Sequence, residues 1–523
     1  MSENSIDTRI SFDASIHFDN SYARLPSRFF SRQLPTPVTA PTFIRVNAEL
    51  ARQLNIDPAW LESEEALQVF AGNRVAVGSE PIATAYAGHQ FGSWNPQLGD
   101  GRAVLLGEVI GSDGRRYDIQ LKGGGQTSYS RMGDGRSPLG PVLREYIVSE
   151  AMAALGVPTT RSLVAISSGE KVVRDELLPG AVLTRVASSH IRIGTFQYFA
   201  GRNDIDAVRT LADHVIARHY PELEQAENRY RALLEAVIAR QAQLIAQWQQ
   251  LGFIHGVMNT DNMLVCGETI DYGPCAFMDA FNPNQVYSSI DRQGRYAFRN
   301  QPPIAHWNLS WLAQALLPLL VDNVGGADDE KNALPIAQAA LDTFATQFQT
   351  AYTDIMLKKI GLTPSSAENR ELSAENREPS AENIALLEDL LKRMAEASAD
   401  YTLTFRRLAE LVNPEADVSS GVGALFALPE SFADWLERWR QQIVQEKADL
   451  SALQQMMFAI NPAFIPRNHL VEEAIAAATE NNFQPFNQLV DVLANPYHYD
   501  EKFSRYALPP TPEQIVTKTF CGT

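Results

Sequence analysis

The chain is poor in cysteine, with only Cys266, Cys275 and Cys521 among 523 residues. An odd and sparse set neither staples a secreted fold nor builds a four-ligand zinc site, and no histidine cluster has metal-site spacing, which argues against a zinc enzyme. Long apolar runs are also missing. The nearest candidate, Trp311 to Leu320, is about half of what a membrane span needs and reads as a buried helix. Basic charge is scarce: 44 Lys and Arg face 62 Asp and Glu, for a formal net charge of -18. That balance argues against a broad electrostatic grip on nucleic acid or an anionic membrane. No basic stretch followed by an apolar one opens the chain, so a soluble cytoplasmic protein is expected, with a monomer as the default. What is present is core material. Hydrophobic residues make up 45% and aromatics are spread throughout, enough for at least two substructures.

The texture changes along the chain. Residues 1–85 mix short aromatic and proline segments with a helix from Asn47 to Leu54, and read as a wrap around a larger domain. From 86 to 194, glycine-punctuated segments give strands at Ala103 to Leu106 and Tyr117 to Lys122, a helix from Val142 to Leu155, and strands at Ser162 to Ile166 and Ala181 to Val186. This is a small sheet with one helix against it, the shape of a kinase amino-terminal lobe. Residues 195–360 turn helical, notably Ala207 to His219, Arg229 to Leu251 and Leu309 to Leu320, with short β-like pieces at Met263 to Val265 and Ala276 to Met278. Three near-identical heptads begin at Ser366, Ser373 and Ser380, and a polar repeat containing Pro379 reads as an exposed tandem insertion over 361–386. Residues 387–523 form a helical carboxy-terminal region. The expected class is α+β, with two lobes.

The chemistry lies in polar residues in unlike contexts. Lys122 ends a strand and runs into Gly123, Gly124 and Gly125; Glu145 lies on the next helix; His255, Asn262 and Asp271 follow a long helix. A lysine can neutralise phosphate oxygens, a helix glutamate can fix it, and an amide oxygen and a carboxylate are hard ligands for Mg²⁺. His255 and Asn262 stand seven apart, as in the kinase loop H-R-D-x-x-x-x-N, and Asp271-Tyr272-Gly273 stands where D-F-G would come. One departure matters. The position of the kinase catalytic aspartate holds Val257, which cannot accept or orient a proton, so ordinary kinase chemistry is in doubt while nucleotide and metal binding are not. Asp261 is the closest carboxylate and could act as a base from another direction. His255 is expected to brace the backbone, and His89 to shape the nucleotide-side loop.

Several strings in order resemble one known family. They are Phe18-Asp19-Asn20-Ser21-Tyr22, Gly88-His89-Gln90-Phe91-Gly92, Leu98-Gly99-Asp100-Gly101-Arg102, Asp118-Ile119-Gln120-Leu121-Lys122-Gly123, Gly133-Asp134-Gly135-Arg136 and Arg144-Glu145-Tyr146. The series continues through His255-Gly256-Val257-Met258-Asn259-Thr260-Asp261-Asn262 and Asp271-Tyr272-Gly273-Pro274 to Pro466-Arg467-Asn468-His469. The chain resembles the selenoprotein O (SelO, or YdiU) family of kinase-fold protein adenylyltransferases over most of its length. The resemblance implies transfer of AMP from ATP to Ser, Thr or Tyr hydroxyls of proteins, with the nucleotide held in the opposite sense to kinases and pyrophosphate released. Residue by residue, it implies that Lys122 and Glu145 form the phosphate-binding pair and that Arg185 and Arg192 hold the outward phosphates. It further implies that Gly99, Gly101, Arg102, Asp134 and Gly135 belong to the nucleotide-binding set. Asn262 and Asp271 match the ligands of Mg²⁺, or of Mn²⁺, and Asp261 matches the base; a metal-ligand or turn-capping role for Asp261 stays open.

The family carries selenocysteine or cysteine near its carboxyl end, and the resemblance implies that Cys275 pairs with Cys521 under oxidation and clamps the tail. Cys266 reads as a buried apolar residue. Three other readings stay in view: uridylyl transfer from UTP with Mn²⁺, a conventional kinase, and a silent pseudokinase that binds partners.

Overall fold

A computed structural model describes residues 16–321, 327–363, 380–416 and 429–520. Among them runs an eight-stranded antiparallel sheet. Its path takes the strands Phe30–Arg32, Ile82–Thr84, Ala103–Ile110, Arg116–Lys122, Leu177–Ala187, Arg161–Val173 and Thr42–Val46, and Ser137–Pro138 pairs with Leu177–Ala187 beside it. Its central hairpin joins Ala103–Ile110 to Arg116–Lys122 through a tight turn in which Gly114 adopts φ 75°. Ala103 faces Lys122 in that register, and Leu183 faces Lys122 from the other side. Lys122 therefore sits mid-sheet, where both neighbours fix its backbone.

The first 85 residues do more than wrap. They supply both edge strands, Phe30–Arg32 and Thr42–Val46, which leaves the inner strands fully paired. Their helices Ala48–Gln53, Pro58–Leu61 and Glu64–Phe70 cover one sheet face, where Leu50, Leu54, Leu61 and Phe70 cluster with Ile119, Leu121, Ile166 and Val182. The opposite face receives the helix Leu139–Ala154. Val142, Leu143, Tyr146 and Ile147 of this helix cluster with Ala165, Ala181 and Leu183, and also with Leu470, Val471, Ala474 and Phe486 of the carboxy-terminal region. Full burial of such side chains stabilises by roughly 1.5–3 kcal/mol each, so this helix is gripped between the sheet and the chain's last helices.

The second lobe is built on the helices Ile193–Ala200, Ile205–His219, Arg229–Gln250 and Gln301–Leu316, around a core that includes Leu234, Ile238, Trp248 and Leu309. Its strands are short. Ala276–Phe277 pairs with Phe253–Ile254, whereas Met263 to Val265 makes only a single antiparallel bridge, Leu264 with Arg192, flanked by bonds from Ile193 N to Met263 O (2.9 Å) and from Val265 N to Ile191 O (3.0 Å). The carboxy-terminal helices Ala381–Ala397, Pro429–Gln445 and Leu450–Ile460 gather around Trp435 and Trp439, whose indoles donate to the carbonyls of Leu386 (2.8 Å) and Ile360 (2.7 Å).

The expected insertion over 361–386 is partly core. Ser380 caps the helix Ala381–Ala397, and Asn383 and Leu386 of the third heptad are buried; the first two heptads lie outside the described residues. A buried arginine, Arg467, ties the last region to the second lobe by pairing with Asp279 and with Asp400 (2.8 Å). Two lobes, strand-rich and helical, with wrapped amino-terminal strands and a helical extension make a protein-kinase-like fold. Among the described residues, no helix is long and apolar enough to cross a membrane.

Candidate active site

A continuous chain of ion pairs crosses between the lobes. Lys122 donates to Glu145 Oε2, and Glu145 Oε1 accepts from Arg185 Nε at 2.7 Å. Arg185 Nη2 donates to Asp271 Oδ1 at 2.7 Å, and Asp271 Oδ2 accepts from Arg192 Nη1 at 2.7 Å. Arg192 Nη1 also donates to the carbonyl of Asp261 at 2.5 Å. Each member comes from a different element: the strands Arg116–Lys122 and Leu177–Ala187, the helix Leu139–Ala154, the inter-lobe linker and the loop between Phe253–Ile254 and Ala276–Phe277.

Buried charges are costly unless paired, and here three cations share two carboxylates. Burial works to raise the Asp271 carboxyl, but Arg185, Arg192 and Lys122 outweigh it and hold it well below the usual carboxylate range. Glu145 is likewise held down, its desolvation outweighed by Arg185 and Lys122. Asp271 occupies φ 63°, a left-handed conformation that disfavours a side chain and is sustained here by its two arginines.

The loop from His255 to Asn262 is braced from within. His255 is buried; its Nε2 donates to the carbonyl of Ile270 at 2.8 Å and its Nδ1 accepts from the Val257 amide at 3.3 Å, which is the neutral tautomer in a structural role. Asn262 Nδ2 donates to the Val257 carbonyl at 2.8 Å, which directs the amide oxygen away from the loop. Asp261 Oδ2 accepts from Gln90 at 3.1 Å, and Oδ1 is buried with no hydrogen-bond partner among the described residues. Burial pushes the Asp261 carboxyl up to about 6, against the opposing effects of Gln90 and Arg192.

The remaining candidates divide. Gly99 (φ 70°) and Gly101 lie under Tyr129, where a Cβ on Gly99 would come 2.3 Å from the ring. The carbonyl of Arg102 accepts from Gly123 at 2.8 Å, and the Arg102 charge acts on Lys122. Gly135 accepts from the Gly125 amide at 3.1 Å, so the polar loop folds back on the glycines after Lys122. Asp134 faces outward: its carboxylate is 43% exposed and pairs with Arg174 at 2.8 Å. Cys275 and Cys266 are buried, and Cys521 lies outside the described residues. His89 turns its ring away from the cleft. Its ring stacks on Trp311 at 3.9 Å and meets Gln197 at 2.9 Å, turned into the helical lobe because the aromatic surface there buries it.

Among the described residues, no three His, Cys, Asp or Glu side chains group as a metal site. Asn262 and Asp271 nonetheless suit a hard divalent ion: one amide oxygen and one carboxylate, each of whose oxygens keeps a second lone pair after accepting from an arginine. Such ions are commonly held by one or two carboxylates, with substrate phosphates completing the shell.

The family model described as "Protein adenylyltransferase SelO" matches residues 13–494. The chain belongs to this family. It is an enzyme, a protein adenylyltransferase of the SelO kind. It is 58% identical over 507 residues, covering 97% of this chain and 99% of the relative, to a "Protein nucleotidyltransferase YdiU" of Rhodopseudomonas palustris (strain BisB5). Proteins of the same name from Methylorubrum populi and Bradyrhizobium sp. are each 56% identical, over 97% of this chain and 99% of the relative.

Two features of this SelO-family site escaped sequence reading. Tyr86 places its ring 4.7 Å from the Arg192 guanidinium, and the hairpin Gly88–Gln90 with Ser93–Asn95 lies under the Asp261 loop. His89 N donates to Thr260 Oγ1 (2.7 Å) and Phe91 N to Asn259 Oδ1 (3.1 Å). The string Gly88 to Gly92 was visible as a motif, but contacts across some 170 positions leave no local period.

Proposed function

We propose that ATP lies across this cleft with its phosphates on Lys122, Arg185 and Arg192 and its α-phosphate turned toward Asp261. The single observation that carries the reading is the unbroken ion-pair chain from Lys122 to Arg192, with Val257 in place of a kinase's acceptor-orienting aspartate. The glycines 99, 101 and 135 with Arg102 and Asp134 border the nucleotide. Arg192 Nε is buried without a partner among the described residues, a donor suited to a phosphate oxygen.

Asn262 and Asp271 would hold Mg²⁺ or Mn²⁺. Bound there, the ion would offset phosphate charge as pyrophosphate leaves. Lys122 and the arginines supply positive charge for the same purpose, and Glu145 keeps the lysine in place. Asp261, a buried carboxyl close to neutral pKa, receives or orients the proton of an incoming Ser, Thr or Tyr hydroxyl. Residues 86–194 and 195–360 serve as the two lobes, and the tail is a redox clamp through Cys275 and Cys521. In support of the clamp, Thr519 Oγ1 donates to the carbonyl of Pro274, the residue before Cys275, at 2.7 Å.

Incubation with α-labelled ATP, α-labelled UTP and γ-labelled ATP tests the reading. Protein-bound α label from ATP with release of pyrophosphate is the expected result. Preference for UTP would reassign the nucleotide, retained γ label would mean a kinase, and no transfer would leave a binding module.

A further inference from the structure

We propose that Gln90 is a positioning residue for the transfer, its side-chain amide fixing the rotation of the Asp261 carboxylate so that one oxygen is held while the other serves the acceptor hydroxyl. This rests on Asp261 as the acceptor-side base. Three observations converge on it.

First, Gln90 Nε2 donates to Asp261 Oδ2 at 3.1 Å, whereas Oδ1 has no hydrogen-bond partner among the described residues. A carboxylate with one oxygen fixed and one unmet is a polarised acceptor, and a buried unmet oxygen calls for a ligand group.

Second, Gly88 leaves room for that oxygen. A Cβ there would stand 2.4 Å from Oδ1 and 2.9 Å from Cγ, so glycine at 88 permits the rotation in which Oδ2 accepts from Gln90.

Third, the hairpin is anchored to the same lobe as the loop it supports. The backbone amides on either side of Gln90 donate to Thr260 and Asn259, Tyr296 OH donates to Asn259 Oδ1 at 2.6 Å, and His89 is stacked on Trp311. Phe91 holds φ 52°, a strained conformation for a phenylalanine that these contacts sustain. Although Gln90 lies in sequence between two strands of the sheet, Ile82–Thr84 and Ala103–Ile110, its hairpin is bonded to the helical lobe that carries Asp261.

In the step it serves, the acceptor O–H gives its proton to Asp261 and its oxygen bonds to the α-phosphorus. The bond from that phosphorus to the α,β-bridging oxygen breaks, and its electron pair leaves with pyrophosphate.

The test uses the full chain with α-labelled ATP, and with casein and the chain's own hydroxyls as acceptors. Gln90→Met keeps length and removes the donor. Its kcat should fall about 10- to 100-fold, a part of the roughly 100- to 10,000-fold that a general base contributes, with the KM for ATP and the melting temperature unchanged. Gln90→Glu, which sets a second carboxylate beside Asp261, should lose at least as much at the same KM. Unchanged kcat in both variants would overturn the proposal, and so would KM and melting temperature shifting together with kcat, since that marks mere structural support. Asp261→Asn run in parallel separates the two readings: wild-type kcat in that variant would remove Asp261 from the chemistry whatever Gln90 does.

Discussion

Asn262 donates its side-chain amide to the carbonyl oxygen of Val257 at 2.8 Å. The bond uses the backbone of residue 257, not its side chain, so replacing a kinase's aspartate by valine leaves the orientation of Asn262 intact. The loop keeps the Asn262 amide in place and lacks only the carboxylate that a kinase uses to address a γ-phosphate acceptor. Asn262→Leu should therefore lower transfer at least about 100-fold, while Val257→Ala stays within about 3-fold, apart from a core-truncation cost of roughly 1 kcal/mol. Label transfer and a denaturant midpoint on each variant check this.

Asp271 sits between two buried guanidinium groups. If Asp271 is a metal ligand, Asp271→Ala should nearly abolish transfer, and it should destabilise by about 3–5 kcal/mol because Arg192 loses its carboxylate partner while Arg185 keeps only Glu145. Wild-type transfer in this variant at saturating Mg²⁺ would reject the ligand role, and urea unfolding measures the second effect.

Lys359 is buried, its ammonium 4.7 Å from the ring of Phe405, and desolvation pushes its pKa down to about 7. Unfolded, the lysine titrates near its ordinary value of about 10.4. Between these values the unfolded chain holds a proton that the folded chain lacks, so this group makes stability rise with pH, by at most about 1.4 kcal/mol per unit. Below pH 7 the whole penalty is present. Lys359→Met should be the more stable form at pH 6, and its advantage should shrink by pH 9; an advantage independent of pH in paired denaturation curves would contradict the assignment.

If Cys521 clamps the tail at Cys275, reductant should raise the activity of an oxidised sample and leave Cys521→Ser nearly unchanged. The contact of Thr519 with Pro274 sets where the tail runs, so limited proteolysis of the last residues should quicken on reduction in the parent chain alone. Equal responses in both proteins would count against the clamp.

Local pattern carried the site's parts well. The strand ending in Lys122, the helix bearing Glu145 and the loop from His255 to Asn262 were legible because each is a continuous segment with its own period or spacing. The first 85 residues were only half legible. Thr42–Val46 and Phe30–Arg32 became sheet edges because unpaired strands lay in reach, and pairing partners such as Thr84 for Phe30 and Ser167 for Thr42 are too far along the chain to leave a trace in a window. Met263 to Val265 stays a short β-like piece, a single bridge, because its partner Ile191 to Ile193 turns at once into the helix Ile193–Ala200. The glycine-rich setting marked His89 as a loop-shaping residue, but the means was not legible: Trp94 and, from far along the chain, Trp307 and Trp311 form the aromatic surface that captures its ring.

By itself the sequence determined which groups are available: a lysine, two arginines, a metal-suited amide and carboxylate, and valine where a kinase needs a base. Spacing and residue chemistry are local, so these survive on the page. Only the tertiary structure decided that Asp271 is shared by two arginines, that Asp261 is dry, and that Gln90 reaches it. Those follow from desolvation and from directional bonds between segments far apart in the chain, and neither exists until the lobes are packed.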